Sequence, residues 1–116
     1  MSSDTVIDPA TFAELEESAG ADFVQELVQT LLEEAPTMLQ ALREAQAAGD
    51  AEAFRRHAHS LKSNSLTFGA LALGALARAL ELGGLQAAQP PSDALDVLEA
   101  EWARVATALQ ERTRNG

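Results

Sequence analysis

Residues 55–63 hold the local arrangement in this 116-residue chain whose types and spacing best suit chemistry. His59 stands with Arg55 and Arg56 four and three positions before it, and with Lys62 and Ser63 three and four positions after. On a helix these are the positions that lie beside a residue on the surface. At about 100° per residue, Phe54, Ala58, Leu61 and Ser65 gather on one side and mark the buried face. His59 points roughly 130° from the centre of that face, which places it in water. An imidazole there offers a ring nitrogen to solvent, and the surrounding cations favour the arrival of an anionic group such as a phosphoryl. Lys62 is suited to hold a phosphate oxygen by a charge-assisted hydrogen bond, and the Ser63 hydroxyl to donate a second. A His on an open helix surface has no base to orient it, no oxyanion hole and no pocket. It is a poor catalyst alone, and suits a group that accepts and yields a phosphoryl when a partner supplies the machinery.

The rest of the composition isolates this segment further. Residues 51–70 carry three Lys+Arg against one acid, Glu52, whereas the other 96 residues carry five against 17, within a total of −10. A small cationic island therefore sits on an anionic body, and both His lie within it. An overall charge of this sign argues against DNA or RNA as partner, because phosphate backbones need clustered Lys and Arg. There is no Cys, so disulfides and Cys-based metal sites are excluded. His57 falls on the opposite flank of the helix from His59, so the two cannot share one small ligand, and no metal site is expected. No apolar run is long enough to span a bilayer. The start, MSSDTVID, has no apolar signal region, and a cytoplasmic protein is expected.

The elements that must position His59 are helical. Ala and Leu dominate, while aromatics are only 4% of the chain, a balance that favours helix over strand. Residues 1–7 read as polar and frayed. Asp8-Pro9 reads as an N-cap followed by Pro at the first helical position, opening a short helix through Phe12, Leu15 and Ser18 that Gly20 stops. Apolar residues then recur every three or four positions from Asp22 to Ala48, with Pro36 expected to bend that helix. Gly49-Asp50 closes it and caps the next, Ala51 to about Thr67, which ends at Gly69. A further helix covers Ala70–Leu82 and stops at Gly83-Gly84. Leu85–Pro91 reads as a loop, and Ser92 as the cap of a last helix bearing Leu95, Leu98, Trp102, Val105 and Leu109. The expected fold is an all-α single domain, residues 1–116: an antiparallel four-helix bundle with a short additional N-terminal helix.

The run His59-Ser60-Leu61-Lys62-Ser63-Asn64-Ser65-Leu66-Thr67-Phe68-Gly69-Ala70 resembles the motif of the histidine-containing phosphotransfer (HPt) domains of bacterial and plant phosphorelays. That pattern is His, any residue, Leu, Lys, a small residue, a short stretch including Ser, then Gly-Ala. The following Leu76-Ala77-Arg78-Ala79-Leu80-Glu81 is similar to the Leu-rich, Glu-ended segment that comes next in the family. The resemblance implies that His59 is the phosphorylated residue, through Nε2, and that Lys62 steadies the phosphoryl group. Ser63 departs from the commoner Gly but keeps the approach to the ring open. It also implies passage of a phosphoryl from a receiver-domain aspartyl-phosphate to His59 and on to another receiver. Mg²⁺ would be supplied by the receiver, and no cofactor or autonomous kinase or phosphatase activity is expected. Partners would be a response-regulator receiver domain or a hybrid sensor kinase, with the chain itself monomeric.

Around this centre, Arg55 and Arg56 are read as electrostatic support or as ordinary solvated charges. Leu66 and Phe68 are read as partner-docking residues. Ser65, on the buried face, is expected to bond back to a carbonyl, and Gly69 to end the helix in a left-handed conformation. The initial Met and polar start favour a free-standing protein. The competing expectation is a helical adaptor that binds a receiver or kinase without being phosphorylated.

Overall fold

The computed structural model describes residues 6–88 and 93–115. The chain forms α1 (Pro9–Ala19), α2 (Ala21–Ala48), α3 (Ala51–Thr67), α4 (Leu71–Gly83), the single turn α5 (Leu85–Ala88) and α6 (Ala94–Asn115). No strand occurs among the described residues. The ends of the helices follow the local chemistry. Asp8 accepts hydrogen bonds from the backbone N–H and the hydroxyl of Thr11, which leaves its carboxyl below the usual range, the hydroxyl being the larger cause. Asp50 accepts from Ala53 N–H at the start of α3. Gly49 ends α2 in the left-handed region at φ +70°, where a side chain would be strained. α2 continues as helix on both sides of Pro36.

α3 lies between α2 and α4, and α6 packs on α4 and α2, while α1 rests on α2 and α3. Their apolar stripes meet in one core that includes Val28, Leu42, Phe54, Leu61, Leu73, Leu98 and Val105. Trp102 is buried there. Arg43 of α2 ties α6 at the surface by hydrogen bonds to both oxygens of Glu99, at 2.7 and 2.9 Å, and to Asp96 at 2.7 Å.

Three expectations are corrected by packing. Ile7, placed in a frayed terminus, is fully buried, because the Asp8 backbone N–H donates to the Gly69 carbonyl at 2.8 Å and pulls the segment onto the end of α3. Residues 1–5 lie outside the described residues. The connection expected as a loop over Leu85–Pro91 includes the helical turn α5, whose Ala88 is buried. Pro90, Pro91 and the expected cap Ser92 lie outside the described residues. Phe68, expected to meet a partner, is 4% exposed, because the chain turns inward at the end of α3 and carries the ring into the core.

Candidate functional site

α3 places His59 on its outer side because its other faces are committed. Phe54, Ala58 and Leu61 are fully buried, and Ser65 is nearly so, its hydroxyl donating to the Leu61 carbonyl at 2.7 Å. The His59 side chain is left 54% exposed. Ser63, Arg55 and Arg56 are exposed on the same helix, and His57 is half-buried. Gly69 then stops the helix at φ +86°. A Cβ at Gly69 would lie 3.0 Å from the Asp8 carbonyl oxygen and 3.2 Å from Thr11 Cβ. The Gly in the Gly69-Ala70 pair is thus explained by the close approach of the segment that opens α1.

The imidazole is not alone on an open surface, as its own helix suggested. Glu81, near the end of α4, brings Oε2 to 2.7 Å from His59 Nδ1. Its other oxygen, Oε1, is buried and lies 3.0 Å from Lys62 Nζ. The Lys62 ammonium, and next the His59 ring, hold the Glu81 carboxyl below the usual carboxylate range against the opposing effect of burial. An ionised carboxylate only accepts hydrogen bonds, so Nδ1 carries the proton and donates it. In the neutral ring Nε2 then keeps its lone pair, and it faces away from this contact. The arrangement fixes the tautomer and the ring orientation of an otherwise exposed His.

Sequence reasoning missed Glu81 as a member of the site. The residue was visible as the end of the Leu-rich segment, but nothing local says that it meets a His 22 positions earlier. The register of α3 on α4 decides that. Leu66, half-exposed at 42%, lies over Gly74 so closely that a Cβ there would come within 2.6 Å of Leu66 Cδ2. Absence of a side chain at Gly74 lets the two helices approach, and the approach carries Glu81 to His59.

Among the described residues, no group of three or more His, Cys, Asp or Glu is placed to hold a metal ion. No helix among them is long and apolar enough to cross a membrane. A small cavity of about 130 Å³ lies between α2 and α3, lined by residues that include Leu27, Thr30, Glu34, Asn64 and Thr67.

An all-helical fold with an exposed, carboxylate-oriented His beside a Lys one turn on is the frame of a phosphotransfer domain. The Hpt domain family matches residues 26–111, and the chain belongs to that family. The chain is similar in structure to histidine-containing phosphotransfer protein B (HptB) from Pseudomonas aeruginosa PAO1, with a TM-score of 0.86, 27% identity and 96% of each chain covered. No curated protein sequence matches it significantly.

Proposed function

We propose that this chain is the phosphoryl carrier of a phosphorelay, with His59 as the residue that takes and gives the group. The observation that carries this is the Glu81 carboxylate on Nδ1, which leaves Nε2 as the exposed nucleophile. The Nε2 lone pair attacks the phosphorus of an aspartyl-phosphate on a receiver domain. As the N–P bond forms, the P–O bond breaks and the aspartate leaves as carboxylate. Nδ1 keeps its proton against Glu81, so the positive charge gained by the ring meets a fixed negative one. Delivery to another receiver is the reverse step. The transition state is metaphosphate-like and in line, so positioning and charge stabilisation supply most of the catalysis. Mg²⁺ would be held by the receiver's acidic pocket rather than by this chain, and would supply charge neutralisation on the transferred oxygens.

In this function Lys62 and Ser63 steady the group, Arg55 and Arg56 add a favourable field, and Leu66, two turns beyond His59 on the same side of α3, is an apolar docking contact. Residues 1–116 form one domain, with α2, α3, α4 and α6 as an antiparallel four-helix bundle and α1 as the short additional helix. The ring of packed neighbours among those four supports this. The carrier is a cytoplasmic monomer without kinase or phosphatase activity of its own.

The test is incubation with a phosphorylated receiver or an autophosphorylating hybrid kinase, following acid-labile, base-stable label. His57→Gln is expected to retain the label and His59→Gln to lose it. Label persisting in His59→Gln overturns the site, and receiver binding without any label on the wild-type chain identifies an adaptor instead.

A further inference from the structure

The cations of this chain divide by whether they are already used. Arg43 and Arg104 are ion-paired with carboxylates, and Lys62 is paired with Glu81. Arg112 lies over the Phe12 ring, 5.0 Å from its centroid. Among the residues whose side chains are described, Arg55, Arg56 and Arg78 have neither a carboxylate nor a ring partner, in a chain of net charge −10. Two of these flank His59 on its own helix. The third, Arg78, comes from α4.

Two contacts fix where Arg78 stands. His59 meets Glu81, and Leu66 meets Gly74, so seven residues forward on α3 correspond to seven residues back on α4. The helices therefore run antiparallel in matched register. Three residues forward from His59 is Lys62, and three back from Glu81 is Arg78, so these two lie opposite each other. Arg78 is one turn from Glu81, about 4.5 Å along the axis, and exposed. Residues three apart share a helix side, which puts Arg78 on the α3-facing side of α4, at the outer lip of the seam.

Lys62, the cation expected to receive a phosphoryl, already has Glu81 Oε1 at 3.0 Å. Dianionic oxygens arriving at Nε2 thus meet one cation shared with a carboxylate and, across the seam, one that is uncommitted. We propose that Arg78 is a phosphoryl-binding residue, its guanidinium holding phosphoryl oxygens once the group is attached to Nε2 of His59. This rests on the carrier function proposed above and adds to it a contact from the second helix. A guanidinium suits the role because it donates two parallel N–H bonds to a phosphate. With Arg78 sharing the phosphoryl oxygens, the Lys62 ammonium, which has three donors, keeps its contact with Glu81 while it steadies the group, and Glu81 remains on Nδ1, so ring orientation survives phosphorylation.

The test uses the whole chain phosphorylated by phosphoramidate, which needs no receiver. ³¹P NMR then follows the titration of the phosphoryl group on His59. A guanidinium that holds the dianion favours it over the monoanion. Arg78→Ala is expected to raise the titration midpoint by about half a unit or more. Arg78→Lys should recover part of the shift, and Arg104→Ala, remote on α6, should leave it unchanged. A helicity spectrum equal to wild type shows that the fold is intact, and a purely structural role would not move the midpoint. An Arg78→Ala midpoint equal to wild type overturns the proposal while leaving the carrier function standing. Absence of phosphohistidine at position 59 from both phosphoramidate and a phosphorylated receiver overturns the carrier function, and the role of Arg78 with it.

Discussion

The Glu81 carboxylate on α4 accepts a hydrogen bond from Nδ1 of His59 on α3 at 2.7 Å, and its second oxygen pairs with Lys62 at 3.0 Å. One acid thus sets the ring orientation and occupies the cation nearest to it. An exposed imidazole on a helix would otherwise sample several rotamers and both tautomers. Here the second helix selects one.

Glu81→Ala is therefore expected to slow phosphoryl transfer to His59 by roughly tenfold or more, the scale on which losing a partner that orients an imidazole acts at other sites. Glu81→Gln should fall between, because its amide oxygen still accepts from Nδ1 but no longer offsets the charge of the ring. Single-turnover transfer from a phosphorylated receiver measures both. Equal rates for wild type and Glu81→Ala would remove Glu81 from the mechanism.

Acid should loosen the same seam. The Glu81 carboxyl lies below its ordinary value of 4.5 in the folded chain, mainly through Lys62 and then His59. Glu99 is likewise lowered, mainly by Arg43. A carboxyl whose folded value is depressed contributes stability that is full above its unfolded value and is lost as pH falls through the folded one. Thermal midpoints are thus expected to decline as pH drops below about 4.5. In Glu81→Gln and Glu99→Gln the slope of that decline should be smaller. An unchanged slope in both variants would show that other carboxyls govern acid unfolding.

Gly69→Ala should destabilise the fold without altering the chemistry at His59. A side chain at φ +86° is strained, and its Cβ would press on the Asp8 carbonyl oxygen at 3.0 Å. Residues held in sparsely populated backbone regions cost about 1–3 kcal/mol. Urea unfolding gives the loss directly. A stability within a few tenths of wild type would mean that the turn relaxes freely.

Arg43→Ala should cost less. Its guanidinium bridges α2 to Glu99 and Asp96 on α6, but the Arg43 side chain is 36% exposed and that of Asp96 76%. Exposed pairs contribute up to about 1 kcal/mol and are screened by salt. Unfolding in low and high salt should show the wild type and Arg43→Ala converging as ionic strength rises. A difference independent of salt would assign the contribution to packing of the Arg43 stem instead.

Much of this protein was legible locally. Asp8 and Asp50 cap helices as their types predict, Gly69 takes the left-handed conformation, and Ser65 bonds back to Leu61 on a buried face. Phe68 and Ile7 were misjudged for a common reason. Each lies at the boundary of an element, where the chain direction changes and periodicity no longer reports which side faces the core. The turn over Leu85–Ala88 escaped because four residues carry too little pattern to distinguish helix from loop.

The sequence by itself determined the helical class, most helix limits and the outward direction of His59, because caps and a period near 3.6 act within one helix. It also set Lys62 and Ser63 beside that ring. Tertiary structure alone decided that Glu81 orients His59 and that Lys62 is already paired. These depend on how far α3 slides along α4, which the close contact of Leu66 with the bare backbone of Gly74 fixes. Register between two helices is a property of their joint packing, and no spacing within either helix encodes it.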